Sequence, residues 1–298
     1  MNFDDLVITA EKNAADLEPW NRYYRLRAKE MESLFSFYVP DKRGIALDIG
    51  SGLGFNALML DRIYEKTIAA DLYKEDPATH TLGTDKARRF LEVMPHRSIQ
   101  IVSCPGEKLP FRSESFDAVF SIYTMEHMRD RVSAMSEIRR VLKMDGEAVI
   151  VVPGFLERLF YPLSFYRAIF KSAFFRAFRD SDSEAFAQRA VRCAKRAPFR
   201  NHYPHFPFPE PHGNYPDFFT ELAQSTPFIW TALARRSGFK IKSVFTTMLF
   251  PKELFSIMIG RAALGAYIKT VRINGSLGNK VLLKYLGQNL CLVLGKDA

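Results

Sequence analysis

Short aliphatic runs alternate with amphipathic stretches between residues 45 and 153, and this alternation limits the fold more than any other feature of the chain. Runs of this kind form buried strands, while apolar residues at helical spacing form the helices between them. Such an alternation predicts a parallel sheet with helical crossover connections. The predicted strands are 45–49, 67–71, 99–103, 116–122 and 148–152, and the predicted helices are about 54–64, 85–94 and 133–143.

The same pattern resumes near the end of the chain. A helix over 228–237, a stop at Gly238 and a strand over 240–246 precede a last strand over 290–294. These elements predict an α/β protein with a doubly wound, seven-stranded, mostly parallel sheet and inserted helical or irregular elements. The pair Asp145-Gly146 predicts a left-handed turn that ends the helix before the fifth strand.

Changes in composition divide the chain into four segments. The first is a helical cap with packing positions at Tyr24, Leu26, Met31, Leu34 and Phe35, and the second carries a glycine-rich turn. The third is aromatic, basic and rich in proline and fits no strand pattern, while the fourth completes the sheet. The segments are 1–40, 41–154, 155–225 and 226–298, with a second insert at about 248–288 inside the last of them.

The composition excludes several classes of protein. Of the 298 residues, 47% are hydrophobic, which is far from the composition of a disordered chain. The three cysteines are scattered, so they argue against a disulfide framework and suit a reducing compartment. The first residues lack the pattern of a signal peptide, and no apolar run reaches the roughly 18 residues that a spanning helix needs. We therefore expect a cytoplasmic protein, and the sequence leaves its oligomeric state open.

The glycine-rich turn is Gly50-Ser51-Gly52-Leu53-Gly54, between the first strand and the next helix. Glycines let the backbone approach a ligand closely because they carry no Cβ. Asp48 beside the turn would repel a pyrophosphate but would hold an ammonium group, and Asp71 ends the second strand, where a carboxylate accepts from ribose hydroxyls. Taken singly, Asp48 fits a helix N-cap and Asp71 a solvated strand end. Their joint spacing favours ligand binding in one crevice at the carboxyl ends of the strands.

Further motifs follow in order, so that the pattern covers residues 44–153. The stretch 48–54 resembles the Asp/Glu-x-Gly-x-Gly-x-Gly motif of the class I S-adenosylmethionine-dependent methyltransferases, and the later motifs resemble the subgroup called methyltransferase type 11. Those later motifs are Glu107-Lys108-Leu109-Pro110-Phe111, Ser115-Phe116-Asp117, Glu126-His127 and Arg140-Val141-Leu142-Lys143-Met144-Asp145-Gly146.

The resemblance implies a binding site for S-adenosylmethionine in the segment 41–154. Asp48 would orient the amino group of the cofactor and Asp71 the ribose, and Leu72 would also belong to the cofactor-binding site. The residues implied to pack the methionine and ribose part are Gly50, Ser51, Gly52 and Gly54.

The resemblance also implies how the rest of the cofactor is held. The loop 104–107 would border the adenine, and because Pro105 stands where the family often has an acidic residue, adenine recognition would rest on Gly106 and Glu107. Tyr123, just past the fourth strand, would lie near the sulfonium, since an aromatic face attracts a cation.

Histidines are the candidates for proton transfer. His127 lies in the expected region and titrates near neutrality, so it is the candidate catalytic base if the acceptor is a hydroxyl. The alternative is a helix-start residue bonded to neighbouring backbone, and Glu126 is expected to be structural. His202, His205 and His212 lie among many prolines, which favours an extended lid, so we expect no metal site.

The inserts carry much of the positive charge of the chain, whose net charge is +9. Residues 163–179 form a basic amphipathic pattern with large aromatic residues, which suits either an interfacial membrane helix or a lid packed on the enzyme. The basic run that follows favours an acidic partner, either anionic lipid or a phosphate-bearing acceptor. Nucleic acid is the weaker alternative because no recognised nucleic-acid module accompanies the charge.

These observations favour an S-adenosylmethionine-dependent methyltransferase with a hydrophobic or lipid-linked acceptor, located in the cytoplasm or at the inner face of a membrane. A soluble enzyme that methylates a small metabolite is the alternative within the same chemistry. A non-catalytic adaptor that binds membrane is the alternative from another class. A nicotinamide oxidoreductase is disfavoured by the glycine spacing and by Asp48.

Overall fold

A computed structural model describes residues 2–17, 23–72, 84–163, 165–166, 208–248 and 287–296. The predictions for the amphipathic segment 163–179, for His202 and His205, and for most of the second insert lie outside the described residues.

A seven-stranded sheet forms the centre of the protein, with the strand order β3-β2-β1-β4-β5-β7-β6. Strands β1 to β5 pair in parallel, whereas β7 runs antiparallel to both of its neighbours, β5 and β6. The predicted doubly wound, mostly parallel sheet is therefore confirmed. The strands are β1 Ile45–Ile49, β2 Lys66–Asp71, β3 Ile99–Ser103, β4 Phe116–Ile122, β5 Leu142–Pro153, β6 Phe239–Thr247 and β7 Asn289–Lys296.

Helices cover both faces of this sheet. Alternate residues of the strands enter two separate apolar clusters, so that Phe120 packs on one face and Val119 on the other. In the described residues the helices are α1 Asp4–Asn13, α2 Tyr23–Phe37, α3 Phe55–Asp61, α4 Thr84–Val93, α5 Arg131–Val141, α6 over 155–163, α7 Phe218–Gln224 and α8 Pro227–Arg236.

The first two helices pack on the face that contains Phe120. Four of the five predicted packing positions of the cap, Tyr24, Met31, Leu34 and Phe35, are buried, while Leu26 is only half-buried. The ring of Tyr24 lies edge-on to Phe55 with 4.9 Å between centroids, so α2 is joined to the first turn of α3. The cap thereby covers the helix that follows the glycine-rich turn.

The turn predicted at Asp145-Gly146 is wrong. Helix α5 ends at Val141, its C-cap Leu142 is already extended, and Gly146 is not among the glycines with positive φ. A Cβ on Gly146 would lie 3.0 Å from the carbonyl oxygen of Asp117, so this glycine is required by close strand packing. The pairing of β4 with β5 shifts register here, and this irregularity takes the place of the predicted turn.

Within the described residues, no helix combines the length and the apolar composition needed to cross a membrane.

Candidate active site

The glycine-rich turn leaves β1 in a left-handed conformation. Gly50 and Gly52 have φ values of 75° and 55°, a region that residues with a Cβ rarely adopt. The backbone N–H groups of Gly50 and Ser51 donate to the carbonyl oxygen of Ala70, at 2.7 and 3.2 Å. These bonds fix the turn against the end of β2, and Gly54 then serves as the N-cap of α3.

The two sides of the turn have different surroundings. A Cβ on Gly50 would overlap the side chain of Thr124, the second residue after β4. A Cβ on Gly52 would have no described atom within 4 Å, so space is open beside this residue. The turn is therefore packed against β4 on one side and presents bare backbone to an open space on the other.

Asp48 is a buried carboxylate without a partner. It lies in β1 with no exposed surface, and neither of its oxygens has a hydrogen-bond partner among the described residues. Burial, and to a smaller extent the charge of Asp71, raises the pKa of Asp48 to about 8. A group that donates hydrogen bonds and carries positive charge would satisfy both oxygens and favour the ionised carboxylate.

Asp71 lies at the end of β2 and faces the same turn. One of its carboxylate oxygens accepts from the backbone N–H of Gly52 at 2.9 Å, and its carbonyl oxygen accepts from Cys104 at 2.9 Å. The charge of Asp71 contributes to the raised pKa of Asp48, so the two carboxylates lie close enough to interact electrostatically. Leu72 follows with half of its surface exposed.

The loop predicted to border the adenine packs against the segment after β4. Gly106 is buried, and a Cβ there would overlap the end of the Met128 side chain. The carboxylate of Glu107 accepts from the backbone N–H of Arg129 at 3.2 Å. These contacts bring Gly106 and Glu107 to the same edge of the sheet as the glycine-rich turn.

Tyr123 begins the segment after β4, in a left-handed conformation with φ of 55°. Its hydroxyl lies within hydrogen-bond distance of Glu30 and Asn289, and the guanidinium of Arg27 lies 4.3 Å from the centre of its ring. A cation of the protein itself therefore already lies over the ring that was expected to face the sulfonium. A role for Tyr123 at the sulfonium stays a prediction.

A buried group of charges lies beside this segment and was missed by the sequence analysis. Arg158 is 3% exposed, and its guanidinium lies 3.2 Å from Glu157 and 3.3 Å from Glu221. Because Glu221 belongs to α7, this pairing holds α7 against α6. The available signal was the position of Glu157-Arg158 in the first turns after β5, near the carboxyl edge where open sheets bind ligands.

His127 meets two other polar side chains at the same edge. Its Nε2 lies 4.0 Å from a carboxylate oxygen of Glu126, and its ring centre lies 5.0 Å from that of His212. Its backbone N–H also donates to the carbonyl oxygen of Thr124 at 2.9 Å, which is the local bonding that the alternative interpretation expects. Glu126 is 1% exposed, and burial raises its pKa to about 8.

The turn fits S-adenosylmethionine on two observations. The unpartnered carboxylate of Asp48 suits the amino group of the methionine part, and the open space beside Gly52 leaves room for a ligand against bare backbone. Asp71, at the end of β2, suits the ribose hydroxyls.

Comparisons with known proteins agree with this fit. Residues 47–150 match the model of the Methyltransf_11 family, described as a methyltransferase domain. The "Probable tRNA methyltransferase 9B" of Bos taurus is 34% identical over 131 residues, which are 43% of this chain and 25% of that protein. The "Uncharacterized methyltransferase YcgJ" of Bacillus subtilis is 31% identical over 105 residues, 35% of this chain and 39% of that protein.

A third relative carries a different kind of name. The ubiquinone/menaquinone biosynthesis C-methyltransferase UbiE of Desulfotalea psychrophila is 31% identical over 110 residues, 36% of this chain and 40% of that protein. The chain thus spans 25% to 40% of the length of these three relatives. Relatives named for tRNA do not support the prediction that nucleic acid is an improbable partner.

The fold itself has counterparts among solved structures. A chain of the Haloferax volcanii complex between the Trm112 methyltransferase activator and a candidate methyltransferase aligns with a TM-score of 0.50 and 11% identity, over 91% of this chain and 90% of that chain. The family match covers both the glycine-rich turn and the segment that carries Glu126 and His127. Residues 47–150 therefore match a methyltransferase domain, and the sheet has the fold of the class I, S-adenosylmethionine-dependent methyltransferases.

Proposed function

We propose that this protein transfers a methyl group from S-adenosylmethionine to a hydrophobic or lipid-linked acceptor. The observation that carries the cofactor assignment is the buried carboxylate of Asp48, to which no described residue donates a hydrogen bond, beside the open space at Gly52. Burial of a carboxylate without a hydrogen-bonding partner raises the free energy of the folded protein unless a ligand pairs with it. The amino group of the cofactor is such a ligand.

The residues of the chain bind and orient, because the activated methyl group belongs to the cofactor. Asp48 holds the amino group, Asp71 holds the ribose, and the backbone of the turn packs against the ligand between them. Gly106 and Glu107 border the adenine. His127, exposed at the carboxyl edge of the sheet, is the candidate base for an acceptor that must lose a proton.

Exposed apolar side chains on the inserted elements support a hydrophobic acceptor. Leu159 and Leu163 of α6 are 43% and 38% exposed, and Phe208 and Phe219 are 39% and 55% exposed. The rings of Phe208 and Phe219 lie 4.5 Å apart, and Arg158 pairs α6 with α7. Exposed apolar side chains in contact with one another, such as Phe208 and Phe219, are typical of surfaces that bind apolar partners.

Binding to an anionic membrane is the extension of this proposal. It is supported by the basic amphipathic pattern of 163–179 and by the net charge of +9. The same charge and the tRNA-related name of the Bos taurus relative favour RNA as the second candidate acceptor.

Transfer of labelled methyl groups tests these alternatives directly. The chain would be incubated with methyl-labelled S-adenosylmethionine and, separately, with a lipid extract, a metabolite extract and total tRNA. Label in the organic-solvent phase supports the hydrophobic acceptor. Label only in polar metabolites or only in tRNA would contradict a hydrophobic acceptor but would still support methyltransferase activity.

A second experiment distinguishes the enzyme from a non-catalytic adaptor that binds membrane. Flotation with vesicles of neutral lipid, and with vesicles that contain anionic lipid, measures binding to membrane without any chemistry. Vesicle binding by a chain that does not bind S-adenosylhomocysteine would contradict the enzyme and support a non-catalytic adaptor. The matched variant for the cofactor arm is Asp71→Ala, argued below.

A further inference from the structure

Three side chains with metal-binding atoms meet just beyond β4. Glu126 and His127 come from the 3-10 turn Met125–His127, and His212 comes from the end of the first insert. One ligand atom from each of the three lies within 4.8 Å of the other two. Among the described residues, this is a group of two imidazoles and one carboxylate around a common point.

Glu126 points into this group without a partner there. It is 1% exposed, and neither of its oxygens accepts a hydrogen bond from another described residue. Its Oε1 lies 4.0 Å from Nε2 of His127, which is too long for a hydrogen bond. The charges of Arg158 and Arg27 act on this carboxylate, but no other described residue donates a hydrogen bond to it, so a cation bound directly to its oxygens would stabilise the ionised form.

Backbone contacts hold His212 in place. The N–H of Asn214 donates to the carbonyl oxygen of Glu126 at 2.7 Å, and a Cβ on Gly213 would lie 2.6 Å from that same oxygen. The N–H of His212 donates to the buried carboxylate of Glu221 at 3.1 Å. The loop is thus hydrogen-bonded on both sides of Gly213, and these bonds fix the position of the His212 backbone.

We propose that Glu126, His127 and His212 bind one divalent transition-metal ion of the Zn²⁺ type. Two imidazoles and one carboxylate are a donor set that suits zinc and neighbouring ions better than the hard cations Mg²⁺ and Ca²⁺. Both histidines are exposed while the carboxylate is buried, so an ion has a path from solvent. Three protein ligands leave a coordination position open for an oxygen ligand.

The proposed metal site is separate from the cofactor residues but adjacent to them. Thr124, two residues before Glu126, packs directly against Gly50 of the glycine-rich turn. Neither Asp48 nor Asp71 belongs to the proposed metal site. Metal binding and binding of S-adenosylhomocysteine can therefore be measured independently, and a failure of one leaves the other standing.

Titration with Zn²⁺ tests the proposal. The untagged chain, freed of metal by a chelator, would be titrated in competition with a chromogenic zinc indicator, and Mg²⁺ would be titrated alongside. We expect one equivalent of Zn²⁺ to bind to the unmodified chain. The variants His127→Ala, His212→Ala and Glu126→Gln should each weaken this binding about tenfold or more, and the exposed His96, in the loop before β3, gives the control His96→Ala.

The outcomes separate cleanly. Loss of the bound equivalent in His212→Ala, with unchanged binding in His96→Ala and unchanged affinity for S-adenosylhomocysteine in both, supports the site. Because both substitutions are at exposed positions, the variants are expected to keep the thermal unfolding midpoint of the parent. No stoichiometric binding by the unmodified chain, or equal binding in His212→Ala, overturns the proposal.

Discussion

The backbone N–H of Asn214 donates a hydrogen bond of 2.7 Å to the carbonyl oxygen of Glu126. The guanidinium of Arg131 donates to the same oxygen at 2.9 Å and to the carbonyl oxygen of Asn214 at 3.1 Å. The end of the first insert is therefore fixed to the segment after β4. Any group that His212 presents to the active site depends on this junction.

Gly213→Ala should break the junction. The added Cβ would lie 2.6 Å from the carbonyl oxygen of Glu126, so the loop must move. We expect affinity for Zn²⁺ to fall about tenfold, which corresponds to about 1.4 kcal/mol, while affinity for S-adenosylhomocysteine stays unchanged. Gly295→Ala is the control, because the three atoms nearest to its Cβ all belong to the Lys242 side chain, which can move. Equal zinc affinity in the two variants would contradict the role of the junction.

Asp48→Asn should remove a pH dependence of stability. The folded chain holds a proton on Asp48 up to about pH 8, whereas the unfolded chain releases it near its ordinary pKa. Between pH 5 and 8 the free energy of unfolding of the parent should therefore fall, relative to Asp48→Asn, by up to about 1.4 kcal/mol per pH unit. Urea unfolding of both proteins across this range measures the difference. A constant difference would show that Asp48 ionises normally.

Gly52→Ala should weaken cofactor binding more than it weakens the fold. Its methyl group would enter the open space beside the turn and would hold an unfavourable positive φ, at a cost of about 1 kcal/mol. Gly238→Ala imposes a similar backbone cost at the end of α8, far from the turn in the chain. Calorimetry with S-adenosylhomocysteine should show weakened binding only in Gly52→Ala. Equal affinity in both variants would contradict the location of the cofactor.

Asp71→Ala should abolish detectable binding of S-adenosylhomocysteine. The substitution removes the acceptor for the ribose hydroxyls and frees the N–H of Gly52. The control is Asp130→Ala, which removes an exposed carboxylate that caps α5 through Ser133. That variant should retain the affinity of the parent. Parental affinity in Asp71→Ala would refute the ribose assignment.

Arg158→Met should destabilise the protein strongly. It leaves Glu157 and Glu221 buried without their cation, and loss of one partner from a buried ion pair costs about 3–5 kcal/mol. Arg25→Met removes an exposed pair with Glu11 and should cost less than about 1 kcal/mol. Urea unfolding of the two variants supplies the comparison. Similar small losses would mean that the buried carboxylates are compensated elsewhere.

Most of the sheet follows from local patterns. Strands β3 and β4 begin and end at the predicted residues, because buried parallel strands are continuous apolar runs bounded by polar residues. The start of β5 was missed because Leu142-Lys143-Met144 continues the helical spacing of α5. Only its pairing with β4 turns these residues into a strand, and that pairing is invisible in a local window.

In the candidate site, too, local sequence patterns predict some residues, whereas only tertiary packing brings the others together. Asp48 and Asp71 lie near the carboxyl ends of β1 and β2, and the glycines lie on the turn after β1, so their spacing within one βαβ unit predicts that they lie close together. His212, Glu221 and Arg158 reach the segment after β4 only through the packing of the inserts. The sequence predicts a structural role for Glu126, and nothing local shows that its carboxylate is buried beside two imidazoles.

The last strand in the chain lies between β5 and β6 in the sheet. During synthesis, β5 and β6 both emerge from the ribosome before the strand that separates them exists. Their unsatisfied edges stay available to other polypeptides until residues 289–296 arrive. A nascent or prematurely terminated chain of this protein should therefore be prone to aggregation and dependent on chaperones.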